Sequence, residues 1–247
     1  MLTWPKLQTP PVITAVFQIM FDSGGLSLSE LSSFDNEYRK ILPLRHDNIA
    51  ANIDLADTTF SLGVSKVSGI SNTKIESYTY YTKDQKTKFV LAEKYILFID
   101  ENKYESWDNF SNMIFRLLTI AKPILEKVRI SRTSIRFINK FDFDSFVPTD
   151  YFKTLVTQTE EHSVPYPLTK FSFNLRLNVD SNIVANVNQT SEKLPDRFIY
   201  LFDIDVLDYS NLLFDLDSLN TILTGLRKVK NEIFFSNITD KLIQRCN

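Results

Sequence analysis

The chain has 247 residues, a mass of 28.7 kDa, a formal net charge of -2 and a pI near 5.8. That length fits one large or two small domains. Hydrophobic residues at 43% exclude disorder, a single cysteine excludes a disulfide scaffold, and 28 Lys+Arg against 30 Asp+Glu argue against a basic nucleic-acid arm.

Residues 1–6 lack a charged stretch leading into an apolar run, so no signal peptide is expected. No apolar run nears the roughly 20 residues that span a bilayer. A reduced, cytoplasmic protein is the expectation. The N-x-S/T triplets at Asn109, Asn188 and Asn237 then count as chance matches.

Residues 12–21 alternate strictly. Ile13, Ala15, Phe17, Ile19 and Phe21 form one apolar face of a strand, entered through Pro10-Pro11. Ser27 to Glu30 is spaced as a capping box ahead of Leu31, Phe34, Tyr38 and Ile41, which predicts a helix closed by Pro43. Residues 44–57 carry little pattern and read as loop. From 58 to 100 short alternating runs predict three or four antiparallel strands, first at Phe60, Leu62 and Val64, last at Tyr95, Leu97 and Ile99, with a hairpin turn at 83–86. Ser106 then caps a helix with the stripe Trp107, Phe110, Met113, Ile114, Leu117, Leu118 and Ala121, kinked or ended at Pro123.

The order then restarts. A strand at 128–138 precedes a short helix at 149–156 and a half-exposed strand over Phe171, Phe173, Leu175, Leu177 and Val179. Strands at 183–189 and 198–207 follow. A long helix carries Leu216 to Phe234 on one stripe, and Thr239 caps a last short helix. The fold class is therefore α+β: two similar antiparallel-sheet units of order β-α-β-β-β-α, 1–127 and 128–247, with helices on one face. Joined edge to edge, they would make one continuous curved sheet in one compact domain and remove two exposed edges. By analogy this order is similar to helix-grip and TATA-binding-protein-like arrangements, and fold alone does not carry function.

Five stretches carry a family likeness. They are P-P-V-x-x-A-V-F-x-I-x-F from Pro10 to Phe21, Y-x-x-W-x-x-F at Tyr104, Trp107 and Phe110, and R-x-x-x-R-F-I-N from Arg132 to Asn139. F-D-I-D from Phe202 to Asp205 and the closing Thr239-Asp240 complete the set. In this order they resemble a sporadically distributed family of bacterial and archaeal proteins with no assigned function. The resemblance implies no catalytic residue or cofactor. Its patchy distribution implies a setting near defence or toxin–antitoxin genes.

Asp203 and Asp205, two apart on a strand, share one face about 7 Å apart and could hold a divalent cation. Their structural reading is an ion pair with strand arginines. Arg132 and Arg136 share a face and suit either a bidentate phosphate or carboxylate contact or that same pairing. Asn139 ends its strand, where turn geometry is its expected role. Lys83, Lys86 and Lys88 with Tyr78, Tyr80, Tyr81 and Phe89 could make a stacking surface for nucleic acid, or an ordinary hairpin with a solvated tip. His46 and His162 lie in expected loops without metal-ligand spacing, and Cys246 sits at an end expected to fray.

The leading expectation is a non-enzymatic binding protein, accessory to a defence or toxin–antitoxin locus, whose sheet or groove engages another macromolecule, with a protein as the expected partner. No cofactor, membrane or nucleic-acid partner is expected, and self-association is compatible. A metal-dependent, phosphate-directed hydrolase using Asp203 and Asp205 is one alternative. A nucleic-acid-binding module using Lys83, Lys86 and Lys88 is the other.

Overall fold

The computed structural model describes residues 4–22, 25–53, 70–145, 147–153 and 169–247. Period-two alternation builds its strands. In chain order the elements are β1 (Val12–Phe21), α1 (Leu28–Ser32), α2 (Asp35–Arg39), β2 (Leu44–Ile53), β3 (Ile70–Tyr81), β4 (Thr87–Ala92), β5 (Tyr95–Glu101), α3 (Trp107–Ile120) and α4 (Lys122–Leu125). After these come β6 (Arg129–Phe143), α5 (Pro148–Tyr151), β7 (Lys170–Asn178), β8 (Ile183–Lys193), β9 (Phe198–Asp208), β10 (Leu212–Leu213), α6 (Leu216–Asn237) and α7 (Asp240–Arg245).

Among the described residues, all ten strands join one antiparallel sheet of order β2-β3-β4-β5-β1-β6-β9-β8-β7, with β10 added alongside β6. The first strand of each half lies at the centre, and β1 pairs with β6 across the boundary between the halves. One cross-sheet row shows why the halves cohere. Tyr80, Phe89, Phe98, Phe17, Ile135, Val206 and Ala185 lie opposite one another in turn, from β3 to β8. All are buried, and fully burying each large side chain contributes about 1.5–3 kcal/mol.

The helices cover that face. Phe110 of α3 sits 5.4 Å from Phe98 and 5.7 Å from Phe137. Phe234 of α6 stacks 5.8 Å from Phe202, and Tyr38 of α2 lies 5.1 Å from Tyr80. Phe152, just after α5, stacks 3.8 Å from Tyr200. Among the described residues no helix is long and apolar enough to cross a membrane.

Several local expectations change. Residues 44–53 are not loop but the edge strand β2. Its helix-side positions are charged: Arg45 bonds Asp47 at 2.6 Å and Asp35 at 2.8 Å, and lies 4.1 Å above the Tyr78 ring. Ion pairs there replace the apolar alternation that marks the other strands. The helix expected after Ser27 is two short ones. The Ser27 hydroxyl engages that of Ser29 rather than a backbone amide, so the capping box does not form. Ser32 and Ser33 donate back to the carbonyls of Ser29 and Glu30, which competes with helix propagation.

The strand expected over 128–138 continues to Phe143. The helix expected over 149–156 is Pro148–Tyr151, with Val156 outside the described residues, as are Phe60, Leu62, Val64 and His162. His46 lies on β2, not in a loop. The end of the chain is not frayed at Cys246. That residue is 7% exposed, its carbonyl accepts the Thr9 amide at 2.9 Å, and burial pushes its thiol pKa up.

The hairpin turn after β3 is formed: Gln85 adopts φ 57°, and Asp84 accepts from the Thr82 hydroxyl and the Lys86 amide. Ser106 and Asp215 cap α3 and α6 through side-chain acceptors at 3.1 and 2.8 Å. Replacing either with alanine should cost about 1 kcal/mol. Ser27→Ala should fall within about 0.5 kcal/mol of wild type, as for surface changes that break no cap. Urea midpoints of the three variants check this contrast.

Candidate functional site: the helix-free face of the sheet

Alternation leaves a second face that carries no helix among the described residues. Its rows follow from the strand register. One runs Leu44, Tyr81, Lys88, Ile99, Val16, Arg136, Asp205, Asn186, Arg176 from edge to edge. Flanking it are Val90, Leu97, Gln18, Ser134, Leu207 and Val184 on one side, and Thr14, Ile138, Asp203, Asn188 and Asn174 on the other. The face is therefore divided. Toward β4, β5 and β1 it carries a half-buried apolar strip of Val16, Met20, Val90, Leu97 and Ile99; toward β6, β9, β8 and β7 charged and amide side chains stand among Ile138, Leu207 and Val184.

The polar half holds the expected site residues. Arg136 and Asp203 meet diagonally across β6 and β9 in a bidentate pair, Nε–Oδ1 2.9 Å and Nη2–Oδ2 2.7 Å. The carboxylate side chain is 10% exposed and the arginine 46%, so the acid is enclosed and its partner reaches water. The hydrogen bonds that Arg136 donates to Asp203 raise the guanidinium pKa further. Asn188 donates to Asp203 Oδ2 at 3.4 Å and accepts from Asn174.

Asp205 lies directly opposite Arg136 but does not share the bidentate contact. Burial raises its pKa, Asp203 pushes the same way, and Arg136, Arg132 and Asn186 pull against them. Arg132 donates to Gln18 across the central seam, while its buried Nε finds no partner.

Asn139 is not at a strand end. It sits mid-strand in β6, 3% exposed on the helix side, and donates to the carbonyl oxygen of Phe202 at 2.9 Å. Here the register between β1 and β6 shifts by one residue, so the side chain supplies a donor beside a bulge. It belongs to the framework rather than to the site.

The lysines do not form a stacking surface. Tyr80 and Phe89 are fully buried on the helix side, so no base can reach them. Lys88 is held by Glu101 at 2.9 Å, and only Tyr81 accompanies it on the helix-free face. Lys83 and Lys86 are exposed at the hairpin tip around Asp84, whose carboxylate Lys103 also contacts at 3.3 Å. For the cation reading, both Asp203 oxygens are engaged by Arg136. Among the described residues no group of three or more His, Cys, Asp or Glu side chains is placed to hold a metal.

Sequence reasoning missed Gln18, Asn174, Asn186 and Asn188. Their signal was positional: each occupies an alternate place in a strand whose other face is apolar or turned to the helices. No family model, curated protein or solved structure matches this chain.

The two aspartates should respond oppositely to neutralisation. Asp203→Asn removes an enclosed anion that accepts two charged hydrogen bonds. It should cost about 1–2 kcal/mol, the lower part of the usual range because Arg136 is half exposed and screened. Asp205→Asn should be neutral or stabilising at pH 7. The Asp205 pKa is raised above 3.8 in the folded state. Its charge therefore opposes folding at neutral pH, and that penalty fades as pH falls through the folded pKa toward the unfolded value. Urea midpoints at pH 7 and pH 4 measure both signs.

Proposed function

We propose that this chain is a non-enzymatic binding protein that docks a partner protein on the helix-free face of its sheet. The observation that carries the reading is the apolar strip on that face. Val16, Met20, Val90, Leu97 and Ile99 are only half-buried, with no helix over them among the described residues, beside groups that satisfy one another, Arg136 with Asp203, Asn188 with Asn174, Lys88 with Glu101. An apolar centre bordered by organised polar groups is the make-up of protein interfaces.

Size supports it. Strands about 4.8 Å apart carry nine neighbours across roughly 40 Å, and about 20 Å of strand length gives a face on the order of 800 Å², one partner's share of a standard interface. Internal pairing means the charges need little rearrangement on docking, which limits the cost of association. A cytoplasmic protein accessory to a defence or toxin–antitoxin locus is the biological setting we attach to this reading, on the family resemblance.

Ile99→Glu places a charge in the strip without touching the core. It should leave the protein folded, at a cost of about 1–2 kcal/mol for the partly buried side chain, and weaken partner binding at least tenfold, as for loss of an interface anchor. Co-purification from the native host with residue-level cross-linking measures both. Support is a stoichiometric partner whose cross-links fall around Lys88 and Lys140 and disappear in the variant. Wild-type protein recovered alone, or a partner retained by Ile99→Glu, overturns it. A dimer cross-linked through this face would make the partner a second copy rather than another protein.

A further inference from the structure

On the opposite side of the sheet, α6 carries two cations that nothing in the proposed docking role uses. Arg227 and Lys230 are three residues apart and so share a side of the helix. Neither has a carboxylate within ion-pair distance among the described residues, whereas Lys228 on the same helix has Glu232 at 3.8 Å. Each rests on an aromatic ring instead. The Arg227 guanidinium lies 5.2 Å from the Trp107 centroid, and the Lys230 ammonium 4.5 Å from that of Phe137.

These rings form one block. Tyr104 meets Phe137 edge-on at 5.3 Å, and Trp107 lies 6.5 Å from the same ring. Trp107 is the first residue of the 14-residue helix α3, so the positive end of that helix dipole adds to the two cations. A permanently charged guanidinium, a lysine able to take up a proton, and the start of α3, whose first turn also carries Asp108, thus meet at the junction of α6 with α3.

An unpaired charge against an apolar wall is costly unless a counter-charge arrives. Cation–ring contacts contribute about 0.5–2 kcal/mol and offset only part of that cost. Burial, and Arg227 beside it, bring the Lys230 pKa down to about 7. The Tyr104 phenol is pushed up to about 12, chiefly by burial, so it stays a donor at neutral pH. The other charged groups acting on Tyr104 are Arg227, which lowers its pKa, and Asp108 and Asp100, which raise it.

We infer that Arg227 and Lys230 form an oxyanion site, for a carboxylate or phosphate group, where α6 meets the N-terminal turn of α3, with Tyr104 as a further donor. Arg227 supplies a planar fork for two oxygens and Lys230 a point charge. The alternative is a lysine that merely lays its stem over Phe137 and keeps its ammonium in water. The two differ in proton linkage. Near pH 8 a depressed Lys230 is largely neutral in the free protein, and an arriving oxyanion draws a proton onto it. A solvated lysine is already charged and takes up none.

The probes are inorganic phosphate and acetate, titrated calorimetrically into the full chain at pH 8 in buffers of different ionisation enthalpy. Site-resolved trace acetylation of the lysines runs alongside. Expected are uptake of close to one proton per bound anion and a Lys230 acetylation profile with its midpoint near pH 7, well below the ordinary lysine range near 10.4. Severalfold protection of Lys230 by the bound anion is also expected. Protection by phosphate alone assigns a phosphate group, and by acetate alone a carboxylate.

Arg227→Gln should weaken protection at least tenfold. Lys230→Met, which keeps an apolar stem over Phe137, should abolish proton uptake and raise the melting temperature more at pH 6 than at pH 10. The sign follows because the folded protein carries the unfavourable charge fully only below its depressed pKa. A Lys230 profile in the ordinary lysine range, no binding of either anion, or protection that survives Arg227→Gln overturns the proposal. None of these outcomes bears on the helix-free face.

Discussion

The seam between β1 and β6 is the constraint on which the molecule depends. Phe17 faces Ile135 and Ala15 faces Phe137 across it, and all four are fully buried. The two strands are far apart in sequence, but the entropy of closing a long loop grows only logarithmically with length. Burial at the seam, repeated along the row from Tyr80 to Ala185, offsets that cost. The seam also removes the edge that each half would otherwise present to solvent. A change that weakens it acts on both halves at once.

Period two converts that seam into a division of labour. Because successive side chains alternate, committing Phe17, Ile135 and Val206 to the helices commits Val16, Arg136 and Asp205 to the opposite side. A one-residue slip would put Arg136 and Asp205 under the helices and Phe137 in water. Register is thus protected by the cost of burying those charges as well as by the apolar core. Asn139, at the single-residue shift near the start of β1, supplies a side-chain donor beside the irregularity. The helix-free face is a by-product of core formation before it is anything functional.

Legibility in the sequence follows the same physics. Where apolar residues alternate with polar or mixed ones, as in β1, element and facing can be read directly; in β5 both faces are apolar, and Ile96 and Phe98 are buried rather than the alternating Tyr95, Leu97 and Ile99. The caps at Ser106 and Thr239 are legible because the hydroxyl has an amide within reach. What fails is the set of places where a polar group does an apolar group's work. Arg45 and Asp47 fill the helix side of β2 as an ion pair, so no hydrophobic period marks the strand. Ser27 has the spacing of a cap, but its hydroxyl turns to Ser29. Tyr80 and Phe89 alternate as a strand should, yet nothing local says that they face the core rather than a ligand. At the candidate site, the shared face of Arg136, Asp203 and Asp205 is visible from spacing. Which aspartate takes the arginine depends on a diagonal across two strands, which only register decides.

The two sides of the sheet treat charge in opposite ways, and this gives each its chemical character. On the helix-free face Asp203 is enclosed, yet the bidentate Arg136 and the Asn188 amide engage its oxygens. Such a group has little left to offer an incoming ligand, so recognition there falls to shape and to the apolar strip. On the helix side Arg227 and Lys230 have rings for neighbours and no carboxylate among the described residues. A ring's quadrupole stabilises a cation without neutralising it, and the field of the pair stays unspent. Charge that is internally paired fixes a surface, whereas charge that is only cushioned remains available to a counter-ion.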